Sequence, residues 1–350
     1  MTDSLVRIAI DAMGGDLGPG EVVRGVIQAA AAPGGERAYV LVGDEAVLRA
    51  ELGRAKSAPA SISIRHASQI IEMNDKPSEA YRRKPDASVV VAARLVKNGE
   101  ADGFLSIGNT GAAMAAGLLS LRTIQGIDRP AIATTIPSLT GQVVLLDAGA
   151  NVDCGPRHLV QFAIMGQAYA RFVLGKELPT VGLLSNGEEE CKGNEVTRQA
   201  YALLRSSLPG FVGYIEGTDV FRGKADVVVC DGFDGNIVLK TGEGVAELVL
   251  RIMKEELTRH TWMRVWLLPL VRSLRRLRGR LDYREFGGAP LLGVNGVCVV
   301  GHGRSDARAV ATAIRVTEVA IRSQLVREIE REIGRLAVAT SAPLSVSDAV

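Results

Sequence analysis

The stretch Arg7-Ile-Ala-Ile-Asp-Ala-Met-Gly-Gly-Asp16 decides the fold class. Its first five residues have the character of a short strand that ends in an acid, and two glycines follow in the turn. Pro19 then suits the first turn of a helix, where its missing N–H costs nothing. A strand, a glycine-containing turn and a helix, in that order, form the unit from which parallel α/β sheets are built.

The same alternation continues along the chain. Further strands are predicted at 39–42, 61–65, 103–106, 131–136, 143–146, 180–184, 211–214, 225–230 and 297–300. Helices are predicted at 22–31, 87–97, 111–121, 158–173, 195–204, 236–257 and 306–336. The pattern predicts an α/β fold with a doubly wound, mainly parallel sheet. The two runs on either side of Ser138-Leu-Thr-Gly141 predict one antiparallel pair.

Composition bounds the organisation and location of the chain. Its 350 residues are 47% hydrophobic, and no Pro/Gly/Ser-rich linker divides them, so we predict one domain over 1–338 and a disordered tail over 339–350. The longest apolar run, 265–271, is far below the ~18 residues of a membrane span. No signal peptide is visible at the N-terminus, which predicts a cytoplasmic protein. The four cysteines form no CxxC pair and are predicted to be free thiols.

Loops that follow predicted strands carry the candidate ligand-binding residues, because ligands of such sheets bind beyond the carboxyl ends of the strands. Six of these loops, at 11–16, 108–111, 147–153, 185–194, 231–236 and 301–305, mix glycine with polar residues. Glycine allows close backbone approach, and the amides at a helix start favour anions. The candidates for binding phosphate or substrate are Asp11, Gly14, Gly15, Gly108, Asn109, Thr110, Gly111 and Asp231.

Other ligands are disfavoured by the same loops. The first strand is not followed by GxGxxG, and GxxxxGK[ST] occurs nowhere, which argues against a dinucleotide or a nucleoside triphosphate. The aspartates are scattered without metal-ligand spacing, and several suit helix caps, so no metal site is predicted.

Lys192 and His302 are the candidate catalytic side chains that the residues themselves suggest. Lys192 lies in a glycine-containing loop after a strand, where a cation can hold phosphate and stabilise an oxyanion. It also follows Glu188-Glu-Glu190, so a solvated lysine that answers these acids is the alternative. His302, flanked by glycines after the last strand, can serve as a general acid or hydrogen-bond donor.

Residues 257–281 concentrate positive charge, with seven arginines and no acid, in a chain of net charge +2. The spacing predicts an amphipathic helical excursion, with Leu267, Leu270 and Leu274 on one face and Arg272, Arg275 and Arg276 on the other. Attraction to an anionic leaflet is worth ~1 kcal/mol per arginine. The predicted membrane contacts are these residues and Trp266.

Other partners of this segment stay open. An acidic protein partner is compatible with the arginines. Packing on the core or on a second subunit is the alternative to both. Nucleic acid ranks last, because neither an aromatic platform nor a known binding motif accompanies the arginines.

Taken together, the loops resemble the bacterial phosphate acyltransferase family of phospholipid synthesis. The motifs are DAMGGD at 11–16, SIGNTGA at 106–112, DAGANVDC at 147–154, GEEECKGN at 187–194, CDGFDGN at 230–236 and GAPLLG at 288–293, followed by His302-Gly303. The resemblance runs from about residue 7 to 333, with Cys191 where glycine is expected. It implies transfer of an acyl group from acyl-acyl-carrier-protein to inorganic phosphate. It also implies a fold related to phosphate acetyltransferases and to isocitrate and isopropylmalate dehydrogenases, a homodimer, a peripheral membrane location and no cofactor.

The mechanism that fits this resemblance is direct displacement by phosphate. Lys192, Asn109, Thr110 and the amides of 108–111 would hold the phosphate, and Lys192, Asn194, Asn236 or His302 would donate to the oxyanion. No serine or cysteine nucleophile is required. Two other classes stay open, namely an NAD-dependent dehydrogenase of the related fold and a non-catalytic scaffold on the membrane surface.

Overall fold

A computed structural model of the chain describes residues 5–55, 59–72, 74–258 and 287–341, without the side chains of 258 and 336–341. The strands are β1 (Val6–Asp11), β2 (Arg37–Gly43), β3 (Ile62–His66), β4 (Gly103–Ser106), β5 (Ala131–Ser138), β6 (Gly141–Leu146), β7 (Val181–Leu184), β8 (Phe211–Ile215), β9 (Val227–Val229), β10 (Ala289–Leu292) and β11 (Val297–Val300). The helices are α1 (Pro19–Ala31), α2 (Glu45–Gly53), α3 (Pro77–Arg83), α4 (Ser88–Lys97), α5 (Thr110–Leu121), α6 (Pro156–Phe172), α7 (Glu195–Ser207), α8 (Gly217–Arg222), α9 (Gly232–Thr258), α10 (Ala307–Arg322) and α11 (Leu325–Ser341).

The described strands form one sheet in the order β3-β2-β1-β4-β11-β10-β5-β6-β9-β7-β8. Seven of the ten strand pairings are parallel, which confirms the mainly parallel sheet. The predicted antiparallel pair is confirmed as β5 and β6. β10 joins the two parts of the sheet, because Ala289 and Pro290 pair with β11 while Leu291 and Leu292 pair with β5.

Helices cover both faces of the sheet, as the nearly continuous burial along β1, β4 and β11 requires. In β1, Ile8 and Ile10 join one buried cluster with α1, α6, α10 and α11, whereas Ala9 joins a second cluster with α4 and α5. In β6, Val143 and Leu145 belong to a third cluster, on the same face as the second. The sheet is therefore doubly wound, with its core in two layers.

Several predicted elements differ from the structure. The single helix predicted at 306–336 is wrong, because α10 and α11 are separate helices with a turn between them in which Gln324 has φ +52°. β10, α2, α3 and α8 were not predicted. α11 reaches Ser341, and the rest of the predicted tail lies outside the described residues.

Most of the amphipathic segment predicted at 257–281 lies outside the described residues, because the description stops at residue 258. The amphipathic helix therefore stays a prediction. α9, the helix that precedes it, exposes several apolar side chains, Val245, Leu248, Val249 and Ile252 among them. Among the described residues, no helix combines the length and the apolar character needed to cross a bilayer.

Candidate active site

The loops after β1 and β4 meet backbone to backbone. A Cβ built on Gly14 would lie 2.7 Å from the Gly108 Cα, so neither loop could approach as closely with a larger residue. Ser106 Oγ donates a 2.7 Å hydrogen bond to Asp11 Oδ2, and the Met13 amide donates to Asp11 Oδ1 at 3.3 Å. Asp11 is buried, and its carboxylate therefore ties the two loops together from below rather than facing solvent.

Burial raises the pKa of the Asp11 carboxyl, and hydrogen bonding to Ser88 and Ser106 opposes that shift only in part. Ser88 begins α4, and sequence reasoning did not single it out. No local pattern could have done so, because it lies 77 positions along the chain from Asp11.

Helix α5 starts directly above this contact. Asn109 caps it, because its Oδ1 accepts from the Ala112 amide at 3.0 Å, and its Nδ2 donates to the Glu72 carbonyl at 3.1 Å. The N–H groups of Thr110 and Gly111 make no hydrogen bond to any residue that the structure describes. Open amides at a helix start are a ready site for an anion.

The loop after β11 lies against the loop after β1. Together with the loop after β4, these loops form a first group. The Asp16 amide donates to the Gly303 carbonyl at 2.9 Å, and Gly15 lies beside the same carbonyl. His302 is exposed, and its Nδ1 accepts from the Arg304 amide at 3.2 Å. The proton of the neutral ring is therefore assigned to Nε2, which makes Nε2–H a hydrogen-bond donor.

A second group of loops is organised around Asp147, which is fully buried. Its carboxylate accepts from the amides of Ile132, Ala150 and Asn151 and from the Asn151 side chain, at 2.7–3.1 Å. Burial raises the pKa of Asp147 against the pull of these hydrogen bonds. Asp147 is not among the predicted site residues, although its loop is.

The start of α9 packs directly on the Asp147 loop. A Cβ on Gly235 would collide with the Asp147 carbonyl, and Asn236 lies against Gly149. Asp231 Oδ1 accepts from the Asp234 amide at 2.8 Å, so Asp231 acts as a helix cap. Asn236 is exposed on the first turns of α9, where its amide can donate to a ligand.

The loop after β7 holds Lys192 and Asn194. Asn194 Oδ1 caps α7 through the Thr197 amide, and Asn186 Oδ1 accepts from the Gly193 amide, both at 2.9 Å. Gly193 has φ +78°, a backbone conformation that strains other residues. The aliphatic stem of Lys192 lies across the buried Gly187, while its ammonium makes no hydrogen bond or ion pair with a described residue.

The two groups of loops leave the sheet on strands that run in opposite directions. β1, β4 and β11 are parallel to each other, and the antiparallel steps through β10 and β5 reverse the direction for β6, β9 and β7. At the typical twist of about 20–25° between neighbouring strands, the seven steps from β1 to β7 would sum to about 140–175°, which is enough to offset this reversal. Both groups border one buried cluster, because Ala112 and Ala113 of α5 and Ala148 belong to it and Ala150 packs against it.

The cysteines offer no activated nucleophile near these loops. Burial, with Asp147 and Asp231 nearby, raises the pKa of Cys154 to about 11. Burial also raises the pKa of Cys230 and of Cys298. Cys191 is exposed, and all four cysteines are free thiols, as predicted. Within the described ranges, no three His, Cys, Asp or Glu side chains are grouped to hold a metal ion.

Comparison with known proteins gives the family context. The model of a family described as fatty acid synthesis protein matches residues 6–328. A phosphate acyltransferase of Pelotomaculum thermopropionicum is 51% identical over 333 residues, 95% of this chain and 96% of the relative. A phosphate acyltransferase of Geobacter sulfurreducens is 48% identical over 317 residues, 91% of each.

Solved structures share the fold at low identity. The EutD phosphotransacetylase from Staphylococcus aureus matches with a TM-score of 0.58 at 16% identity, covering 90% of this chain and 94% of that one. A 4-hydroxythreonine-4-phosphate dehydrogenase from Klebsiella pneumoniae matches with a TM-score of 0.51 at 14% identity, covering 90% and 98%. At these identities the likeness concerns the fold alone.

Proposed function

Since this chain belongs to the fatty acid synthesis protein family and about half of its residues are identical to those of phosphate acyltransferases, we propose that it transfers a fatty acyl group from acyl-acyl-carrier-protein to inorganic phosphate. Membership makes the chain an acyltransferase that uses phosphate. The carrier-protein donor and the acyl phosphate product, made for phospholipid synthesis, are the finer part of the proposal.

The observation that supports phosphate as the acceptor is the set of open amides at the start of α5. The N–H groups of Thr110 and Gly111 have no hydrogen-bond partner among the described residues, and Gly14 and Gly108 lie in close contact beside them. Such a glycine contact leaves room for a tetrahedral anion to reach the amides. Asn109 and Gly15 border the same space, and Lys192 would supply the positive charge.

We propose a direct displacement. A phosphate oxygen attacks the thioester carbonyl carbon and forms a C–O bond, which moves the carbonyl electron pair onto oxygen. The tetrahedral intermediate collapses, the C–S bond breaks, and the carrier thiol leaves as a thiolate that takes a proton from water. His302 Nε2–H, Lys192, Asn194 or Asn236 would donate to the oxyanion, and loss of one such donor typically costs 10²–10³ in rate.

Phosphate needs positioning more than activation, because it is already anionic at neutral pH. No residue has to form an acyl-enzyme, which agrees with the raised pKa values of Cys154, Cys230 and Cys298. No cofactor takes part in these steps.

The experiment that tests this function traps the product. Enzyme, acyl-acyl-carrier-protein and phosphate are mixed, and acyl phosphate is converted to hydroxamate with hydroxylamine. We expect hydroxamate that depends on both phosphate and active enzyme. Hydroxamate no higher than in the phosphate-free control would remove the proposal.

We also propose that the enzyme is a cytoplasmic homodimer that associates peripherally with anionic membranes. The exposed apolar side chains of α9 support an interface between copies of the chain, because such a stripe is costly to leave in water. The arginines and leucines of 257–281 support contact with lipid. One domain spanning 1–338 is part of the same proposal.

Vesicle sedimentation tests the membrane contact. We expect binding that requires anionic lipid and weakens with salt, and release by Leu270→Glu with Leu274→Glu, while the melting temperature and the molecular mass stay unchanged. A wild-type protein that ignores anionic vesicles, or a double variant that melts early, would contradict it.

A further inference from the structure

The loop 185–194 carries three consecutive acids next to the lysine that we assign to phosphate. If these acids paired with Lys192, its charge would be cancelled before phosphate arrived. The structure pairs two of them elsewhere. Glu188 accepts an ion pair from Lys224 at 2.5 Å, and Glu190 is held by Arg205 and by the Tyr201 hydroxyl. Among the residues that the structure describes, Glu189 and Lys192 form no ion pair with each other or with any other side chain.

Lys224 is itself held in place by a second, buried acid. Its ammonium also pairs with Asp219 at 3.5 Å, and Asp219 is 5% exposed. Burial would raise the pKa of Asp219, but hydrogen bonds from the Glu216 amide and Lys224 outweigh it and lower that pKa, so the carboxylate stays charged. The Lys224 amide donates to the Asp219 carbonyl, just after Gly223 ends α8 with φ +74°.

Arg205 holds the other end of the acid run. It lies in the last turn of α7, and its guanidinium stacks over the Tyr201 ring, with 6.0 Å between Cζ and the ring centroid. Tyr201 packs in turn on Phe211 and Tyr214 of β8. Arg205 therefore sits on a helix that is fixed by packing, and Lys224, which lies in the loop after α8, is held by Asp219.

We infer that Lys224 and Arg205 are positioning residues for the transfer, because they draw Glu188 and Glu190 away from Lys192 and leave its ammonium available to phosphate. The inference rests on the proposed role of Lys192. Neither positioning residue touches the substrate. Ion pairs as exposed as these contribute little to folding stability, so their effect is expected on the loop acids rather than on the fold.

Lys224→Ala tests the inference. We expect kcat/KM for phosphate to fall by about 10–100-fold, the range that a misplaced group produces, and the affinity for inorganic phosphate in calorimetry to fall with it. The melting temperature should stay near that of the wild type. Lys224→Arg should restore most of the loss, because it keeps the charge. Lys176→Ala is the matched control, since Lys176 pairs with Asp226 at 2.9 Å at similar exposure and lies outside the loop.

A second variant separates positioning from a merely structural role. Once Lys224 is gone, Glu188 is free to turn toward Lys192, so Lys224→Ala combined with Glu188→Gln should regain phosphate affinity. A structural role predicts that the double variant is no better than the single one, and that result would overturn the inference.

Lys192→Ala distinguishes failure of the inference from failure of its premise. If Lys192→Ala is inactive while Lys224→Ala keeps wild-type phosphate kinetics, the positioning role is wrong and the role of Lys192 stands. If Lys192→Ala is fully active, the premise itself is wrong.

Discussion

Gly14 and Gly108 approach so closely that a methyl group on either would lie within 3 Å of the other's Cα. This contact joins the loop after β1 to the loop after β4 and lies beside the amides of α5.

Gly14→Ala should therefore disable the site. The added methyl would meet the Gly108 backbone and the buried Asp11 carboxylate, so we expect a destabilisation of about 1–3 kcal/mol and a loss of activity of ~100-fold or more as the loops separate. Gly53→Ala is the control, because nothing lies within 4 Å of its Cβ position. Chemical denaturation and phosphate kinetics measure the two effects, and an active Gly14→Ala enzyme would show that the contact is not needed.

Lys192→Ala should keep the fold and lose turnover by ~10²–10³, as expected for loss of an electrostatic stabiliser of the transition state. Lys97→Ala, at the exposed end of α4, serves as the control for loss of a surface cation. Steady-state kinetics together with a melting curve separate catalysis from stability. Near-wild-type turnover in a folded Lys192→Ala protein would show that Lys192 is a solvated surface lysine without a catalytic role.

Cys191→Ala should retain most of the activity, because direct attack by phosphate needs no thiol. The residue is exposed, and it borders Lys192 in the loop. Mass spectrometry of peptides after incubation with acyl donor alone provides the independent check. An acylated Cys191 peptide would establish a two-step mechanism instead.

Titration of Asp11 should lower the free energy of unfolding as pH rises. Burial raises its pKa in the folded state, while an unfolded aspartate titrates near about 3.9, so the folded protein binds the proton to higher pH. Its contribution to stability is largest below the unfolded pKa and falls as pH increases through the raised folded pKa.

Asp11→Asn removes that dependence. The variant should gain stability relative to the wild type as pH rises above the unfolded pKa of about 3.9, whatever constant offset its altered hydrogen bonds add. Asp86→Asn should change in the opposite direction, because a hydrogen bond from Ser68 lowers the pKa of Asp86. Urea unfolding at several pH values measures both slopes, and parallel slopes for Asp11→Asn and the wild type would exclude the titration.

The exposed face of α9 should mediate dimer formation. Leu248→Glu with Ile252→Glu places charge in the apolar stripe, and we expect the mass in solution to halve without loss of the fold. Leu178→Glu is the matched control, because Leu178 is even more exposed than Leu248 and Ile252 and lies outside α9. Light scattering measures the molecular mass of each variant in solution. An unchanged mass for the α9 variant would contradict the proposed interface.

Much of this architecture follows from local sequence signals. Glycine-containing loops after apolar runs predicted which strand ends carry polar groups. Asn109 and Asn194 were predicted as ligand contacts, and the structure shows that they cap α5 and α7. The antiparallel pair was visible because its turn is short and contains glycine. These features depend on neighbours in the chain, which is why sequence reasoning reached them.

The features that were missed depend on distant partners. β10 is four residues long and contains Pro290, which gives it little strand character until β11 and β5 flank it. The break at Gln324 lies within an uninterrupted apolar period and has no Gly or Pro to mark it. The pairing of Glu188 with Lys224 crosses from one strand–helix unit to the next, so the sequence suggested the nearer partner, Lys192.

The position of β10 and β11 bears on how the chain folds as it is synthesised. The strands that join the two parts of the sheet are made after all the others, at residues 289–300. Until they emerge from the ribosome, β4 and β5 are open sheet edges, each free to pair with a wrong partner. Among the strand pairings, that of β11 with β4 spans the greatest sequence distance, and contacts between distant residues form slowly. A nascent chain stalled before residue 289 would hold two incomplete half-sheets, and holdase chaperones would have most to protect at that stage.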